Sequence, residues 1–525
     1  MIIILSGDYI NQELKAEFGS LPPCMLPIEN KRLYELQISI IRKSIDEDVV
    51  ISLPQNYKIL EQDLHRLEQL KVDIIFVPEG ISLADSLLYV INRKGSFNEA
   101  IKVLHGDTLI ENIPESLNTI GISSTKHEYD WEFVGGESFE KDLVWCGYFS
   151  FSNIKLLVQS LETANGDFIR AIREYETLNP MTKEHIITWY DLGHLNTYFN
   201  TRAKKTTERS FNSLDISQGY VKKTGTKTKK IKAEYEWYRN IPWEIKTYTP
   251  QVYEYGYCEM KPYYILEYLP LTPLNELYVY GENNVVYWER IFSHCNTFFE
   301  LCENKIEKPI EEKSINIIQL KKMAENLFEE KTYSRLEEFS RSTGFDLQKE
   351  LILNGQACLS ILKIAEECIQ TSKKDSIIPA VLHGDFCFSN ILYSSRDDQI
   401  KVIDPRGMSD KQFSIYGDLR YDIAKLTHSV IGLYDYIIAG AMDFKINNDY
   451  EMDLKFYQKN RVLDIQKQFS KQRFMKNHIT INQIMPITIL LFISMLPLHS
   501  DNPIRQRALL SNAIRLFLLF EEQFL

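Results

Sequence analysis

The chain has 525 residues, too many for one ordinary hydrophobic core, so two or three domains are expected. Charged residues make up 25% of it and apolar residues 44%, a balance that argues against long disordered stretches. Its formal net charge of −12 disfavours nucleic acid as a partner, because binding phosphate backbones needs a basic face.

In chain order, Met1–Ser6 reads as a buried strand; it has no basic n-region and its apolar run is too short for a secretory signal. Leu33–Ser44 carries Leu33, Leu36, Ile40 and Ile41 at helical spacing. Val49–Leu53 is a strand, Tyr57–Leu70 an amphipathic helix, Asp73–Val77 a strand and Leu83–Asn92 a helix. Ala100–Leu104 is a strand ending at His105-Gly106-Asp107. Alternation of this kind implies a largely parallel α/β sheet, with ligands at the carboxyl ends of its strands.

From about Arg209 the texture changes. Ser210–Ile216, Gly219–Thr224 and Tyr263–Tyr268 read as strands, with a helix at Lys229–Asn240. The lysine-rich run Lys222–Lys232 has a plain reading as a solvated hairpin. Long helices are expected at Tyr287–Asn304, Ile315–Glu338 and Asp346–Thr371. Two short strands, Ala380–Leu382 and Lys401–Ile403, bracket a loop, and the remainder reads as helical. The apolar stretch Ile484–Leu498 is interrupted by Pro486 and Pro497 and is shorter than the ~20 residues a bilayer requires, so a buried helix is expected rather than a membrane span. The eight cysteines form no CxxC pair, so neither a zinc site nor a disulfide framework is indicated, in keeping with a reducing cytoplasm.

The chemistry concentrates in His383-Gly384-Asp385-Phe386-Cys387-Phe388-Ser389-Asn390 and, after a short gap, Ile400-Lys401-Val402-Ile403-Asp404. Phosphoryl transfer needs an aspartate to orient the attacking hydroxyl and oxygen ligands to hold Mg²⁺ on the ATP phosphates. Asp385 has the place of the base, and Asn390 and Asp404 those of the metal ligands, a donor set that suits a hard cation. This stretch resembles the aminoglycoside phosphotransferase and choline kinase family, whose pattern is HGDxxxxN followed by an apolar strand ending in Asp. The resemblance implies an α+β bilobal protein-kinase-like domain over 206–525, with an N-lobe at about 206–270 and a C-lobe at about 271–525. It implies ATP and Mg²⁺ as cofactors and a small-molecule acceptor. Gly417-Asp418-Leu419-Arg420-Tyr421-Asp422 resembles the segment in which Asp422 braces the catalytic loop, though Asp422 also has a reading as a functional group. For the phosphate-binding lysine the strand offers Lys222 and Lys223, with Lys223 favoured and Lys222 left open, and the resemblance favours Glu234 as its helix partner over Glu236. Tyr264–Leu269, with Glu267, resembles the hinge that receives adenine on backbone groups. Arg406 is a substrate or phosphate candidate, with a local salt bridge as its other reading. A protein kinase is disfavoured, because no GxGxxG loop precedes the lysine.

The first 205 residues resemble the sugar-phosphate and choline-phosphate nucleotidyltransferases, a Rossmann-like fold. The matches are the strand IIILSG, the segment PPCMLPIENKRLYELQI, Leu104-His105-Gly106-Asp107 and Trp189-Tyr190-Asp191-Leu192-Gly193. The resemblance implies that Asp107 and Asp191 hold a divalent cation on CTP or another NTP. Two departures stand out. The family's glycine-rich loop is replaced by LSGDYINQELKAEFGS, and its PK lysine is absent from Pro22-Pro23-Cys24, with Lys15 and Lys31 as unselected substitutes. The whole chain thus resembles a fusion of the two families. The implied function is phosphorylation of a sugar or amino alcohol, coupled to nucleotidyl transfer for surface-polysaccharide precursors. The alternatives are a kinase with a scaffold domain and a non-catalytic regulatory protein. No feature speaks to oligomeric state.

Overall fold

The computed structural model describes residues 1–95, 97–125, 143–205, 212–217, 219–258, 260–304, 317–409, 412–458, 460–475 and 479–522. The chain divides into two compact units, Met1–Lys205 with Tyr280–Glu282, and Thr206–Val279 with Asn283–Leu525.

The first unit is built on a seven-stranded sheet of β1 (Ile2–Leu5), β2 (Val49–Pro54), β3 (Asp73–Val77), β4 (Ile101–His105), β5 (Thr119–Ser124), β6 (Leu143–Phe151) and β7 (Thr182–His185), in the order β7-β5-β6-β4-β1-β2-β3. β3, β2, β1 and β4 run parallel, as the alternation predicts, and β7 is parallel to β5. β6 is antiparallel to both of its neighbours, making the sheet mixed rather than all-parallel. The central strand Ile2-Ile3-Ile4-Leu5 is wholly buried, the signature of a strand covered on both faces. Helices Leu83–Lys94, Ile154–Ala164 and Phe168–Leu178 supply Leu87, Val90, Leu157, Leu161 and Ile172 to the core against Ile3, Val50 and Phe149. The first of them starts at Ser82, whose hydroxyl accepts the Asp85 N–H at 3.1 Å, and ends at Gly95 with φ 67°. The helix expected from Tyr57 begins only at Glu61, since Leu60 is still extended.

The second unit opens with a four-stranded antiparallel sheet of β8 (Asn212–Ser217), β9 (Tyr220–Gly225), β10 (Val252–Cys258) and β11 (Lys261–Glu267), ordered β8-β9-β11-β10. Positions 210 and 211 of the expected first strand lie outside the described residues, as do 315 and 316 of the expected helix from Ile315. The lysine run is not a hairpin: it is the end of β9, a turn, and the start of helix Thr228–Asn240. The helix expected over Asp346–Thr371 is also corrected. Leu351–Leu353 and Gln356–Cys358 form a hairpin through Asn354-Gly355, both at positive φ, and the helix spans only Ile361–Ser372. Nor is the remainder all helical, because Met442–Asn448 and Glu451–Phe456 form a second hairpin that joins the first.

The apolar segment is helical over Ile481–Met495, passing through Pro486, and continues as a tighter turn over Leu496–His499. By length and composition Ile481–His499 would suffice to cross a membrane, but 83% of it is buried inside the unit. It packs against helices Arg420–Val430, Ile361–Ser372 and Pro503–Glu522, which makes it the unit's core helix.

Candidate active site

Strand Pro379–Val381 pairs antiparallel with Tyr416–Asp418, and Ile391–Ser394 pairs with Gln399–Val402. The loop between the first and third of these holds His383, Asp385 and Asn390, and strand Gln399–Val402 ends two residues before Asp404. Backbone bonds lace the two loops together: Ile403 N–H donates to Asn390 O at 3.0 Å, and Arg406 N–H to His383 O at 2.8 Å. His383 is buried, and desolvation pushes its pKa down to about 4, so it is neutral. Its Nε2 lies 3.0 Å from the Ile403 carbonyl and must donate, leaving Nδ1 to accept the Asp385 N–H at 3.3 Å. Asp422 accepts the His383 N–H at 2.7 Å and the Gly384 N–H at 2.8 Å, the bracing role the sequence suggests. Burial pushes the Asp422 carboxyl up to about 7, against the pull of those two donors.

Lys223 and Lys222 separate because neighbours on a strand face opposite ways. Lys223 is 3% exposed and Nζ lies 2.9 Å from both Glu234 Oε2 and Asp404 Oδ1. Lys222 instead stands over the Tyr263 ring, 4.3 Å from its centroid. Burial would lower the Lys223 pKa, but Asp404 and Glu234 outweigh it and hold the ammonium above its ordinary value. Glu234 is 1% exposed and also accepts the Tyr264 hydroxyl at 2.8 Å, with Lys230 at 3.6 Å. Helix Thr228–Asn240 is fixed to the catalytic loops by Trp237 Nε1–H to Leu382 O at 2.8 Å and by Asp404 N–H to the Tyr238 hydroxyl at 3.2 Å. Gly407 has φ 61°, and a Cβ there would fall 2.1 Å from the Ala233 carbonyl oxygen, so only glycine lets the helix approach.

Asp404 has φ 58°, a left-handed conformation that Asp tolerates better than most residues. Asn390 donates through Nδ2 to Asp385 Oδ2 at 3.1 Å and to the Asp385 carbonyl at 2.9 Å, while its Oδ1 has a long 3.5 Å contact from Ser389. Asp385 pairs with Lys425 at 2.8 Å. Burial would raise the Asp385 pKa, but Lys425 dominates and keeps the carboxyl far below the usual carboxylate range.

Lys223, Glu234, Asp385, Asn390, Asp404 and Arg406 all line one cavity of about 450 Å³. Glu267 is not among its lining residues; its carboxylate accepts the Gln251 N–H at 3.1 Å. Lys425 is not among the residues that the motifs in the sequence single out. The signal for it was spacing: it lies three residues after Asp422, hence on the same helix face toward the loop.

In the first unit Asp191 is opposite Thr108 in a short antiparallel pair, Thr108–Ile110 with Trp189–Asp191, which brings it beside Asp107. A Cβ on Gly193 would lie 2.6 Å from Asp107 Oδ2 and 3.2 Å from Asp191 Oδ1, so both carboxylates border the same glycine. Desolvation and the Asp191 charge push Asp107 up to about 6. Lys15 lies 6.0 Å from the Tyr9 ring centroid and Lys31 is exposed. Among the described residues no group of three or more His, Cys, Asp or Glu side chains is gathered as a metal site.

Residues 332–486 match the family model described as fructosamine kinase. A comparison with curated proteins finds no match. Among solved structures, an ethanolamine kinase from Plasmodium vivax is 13% identical over 59% of this chain and 84% of its own, with a TM-score of 0.32. A thermostable mutant of the aminoglycoside phosphotransferase APH(4)-Ia is 11% identical over 60% and 93%, with a TM-score of 0.37. HddC from Yersinia pseudotuberculosis is 15% identical over 39% of this chain and 99% of its own, with a TM-score of 0.28. The family match lies within the second unit and includes Asp385, Asn390, Asp404 and Asp422. It supports a kinase-like second unit whose chemistry is ATP-dependent phosphorylation of a small molecule.

Proposed function

We propose that the second unit transfers the γ-phosphoryl group of ATP to a hydroxyl of a small molecule through Lys223, Glu234, Asp385, Asn390 and Asp404. The observation that carries this reading is Lys223 held between Glu234 and Asp404 at 2.9 Å each, in the cavity that also contains Asp385 and Asn390. Lys223 would bind ATP phosphates, with Glu234 fixing its position. The Asp404 carboxylate and the Asn390 amide oxygen are hard donors that would suit Mg²⁺. Bound there, Mg²⁺ would neutralise charge on the phosphate oxygens. The acceptor oxygen forms its bond to the γ-phosphorus as the bond to the β,γ-bridging oxygen breaks, and ADP leaves with that electron pair. The hydroxyl proton passes to Asp385 and then to solvent. A carboxylate held so acidic by Lys425 is a weak base, so its main work is to orient the hydroxyl and take the proton late. Asp385→Asn should lower kcat by about 10²–10⁴ with little change in KM for ATP. Equal loss of ATP binding would contradict that role.

For the first unit we propose a divalent-cation and nucleotide site at Asp107 and Asp191, with CTP as the first candidate. Support comes from the two carboxylates bordering Gly193. A phosphorylated product of the second unit would then be the acceptor for nucleotidyl transfer, as in the making of a surface-polysaccharide precursor. The test is calorimetry of the full chain carrying Asp404→Ala, with CTP, UTP and GTP in Mg²⁺. Binding of one nucleotide, lost on Asp107→Ala, is expected; no binding of any would reduce this unit to a scaffold.

A further inference from the structure

The catalytic cavity is cationic on the side of Asp385. Lys331, the first residue of helix Lys331–Thr343, and Arg406 line it together with Asp385 and Tyr421. Arg406 Nη1 lies 3.5 Å from the Tyr421 hydroxyl, and the guanidinium carbon 5.8 Å from that ring's centroid. Lys425 approaches from the same helix as Tyr421 and is taken up by Asp385. Lys223 and Lys230 are taken up by Glu234 and Asp404 on the wall assigned to the nucleotide. Lys331 and Arg406 form no ion pair with any carboxylate among the described residues, though both face the cavity.

The crowding of these cations registers on their neighbours. The Tyr421 phenol supports the charge on Lys331, but burial and the nearby Arg406, Lys425 and Arg335 outweigh it and hold the ammonium below its ordinary pKa. Two half-buried cations that no carboxylate pairs with directly, Arg406 feeling only the charge of Asp385 across the cavity, cost free energy that an anion placed between them would recover, through charge-assisted hydrogen bonds that arginine can make bidentate. A cationic acceptor such as an amino alcohol needs the opposite lining, carboxylates or an aromatic cage.

We infer that the acceptor of the second unit carries an oxyanionic group, a phosphate or a carboxylate, which Lys331 and Arg406 bind beside the hydroxyl oriented by Asp385. This rests on the kinase reading of the same cavity and narrows its substrate class to anionic alcohols. The test is calorimetry on the full chain with Mg²⁺ and a non-hydrolysable ATP analogue, so that the γ-phosphate position is filled. Inorganic phosphate and then acetate are titrated into that complex, separating the two anion classes. At least one should bind, with affinity reduced tenfold or more in Lys331→Gln and in Arg406→Gln while the analogue's own affinity changes less than twofold. Binding of the analogue without either anion, or anion binding unchanged in both variants, overturns the inference and leaves the kinase reading intact. Equal weakening of analogue binding in the variants also overturns it, since the cations would then serve the nucleotide. Failure of the analogue to bind removes the kinase reading, and the inference with it.

Discussion

Asp422 offers the clearest link between one side chain and the geometry of the catalytic loop. Its carboxylate is the acceptor for the His383 N–H at 2.7 Å and the Gly384 N–H at 2.8 Å, and it is 0% exposed. Asp422→Ala strands both donors in the interior. At about 1–3 kcal/mol for each unsatisfied buried group, the loss is roughly 2–6 kcal/mol. Asp422→Asn keeps one carbonyl oxygen and turns an amide N–H toward the other donor, so one bond is lost, about 1–3 kcal/mol. The assay is urea denaturation, following the transition that Mg-ATP stabilises, because that transition belongs to the second unit. Stability should fall in the order Asp, Asn, Ala. A pH term accompanies it: burial raises the folded carboxyl to about 7, so the native state holds this proton more tightly than the unfolded chain. That contribution is fully present below the ordinary carboxylate pKa of about 3.9 and is lost as pH rises to about 7, so the wild-type advantage over Asn should shrink across that window. An Ala variant as stable as wild type, or less affected than Asn, would refute the bracing role.

Lys223→Met should abolish measurable Mg-ATP binding and also destabilise the unit by about 3–5 kcal/mol, because Glu234 loses the cation that compensates its burial. Lys222→Met removes only a cation over the Tyr263 ring, about 0.5–1 kcal/mol, and should leave ATP binding within twofold. Titration calorimetry with the ATP analogue separates the two, and equal losses would mean the lysines are misassigned.

Much of the site is legible in the sequence because its residues sit in short contiguous runs. Asp385 and Asn390 share one loop, and Asp404 follows the next hairpin by two residues, so local spacing places all three. Between Lys222 and Lys223 the sequence only leans to Lys223, because both occupy β9 and the position of helix Thr228–Asn240 decides which face is inward. Lys425 was missed for a related reason: its partner lies forty residues away in sequence, across the loop. The hairpin at Asn354-Gly355 is a different case. The Asn-Gly pair flanked by Leu351, Leu353 and Cys358 signals a tight turn, but the apolar residues around it also suit the helical pattern expected over Asp346–Thr371. In the first unit the parallel strands are legible as apolar runs, whereas the antiparallel insertion of β6 depends on a pairing that no local pattern encodes.

The most direct measurement of the central claim is Mg-ATP turnover by the full chain and by Asp404→Ala, with far-UV circular dichroism on both to establish that each is folded. The account predicts that the folded variant loses turnover by at least a thousandfold, about 4 kcal/mol of transition-state stabilisation. Undiminished turnover in a folded Asp404→Ala protein would contradict it.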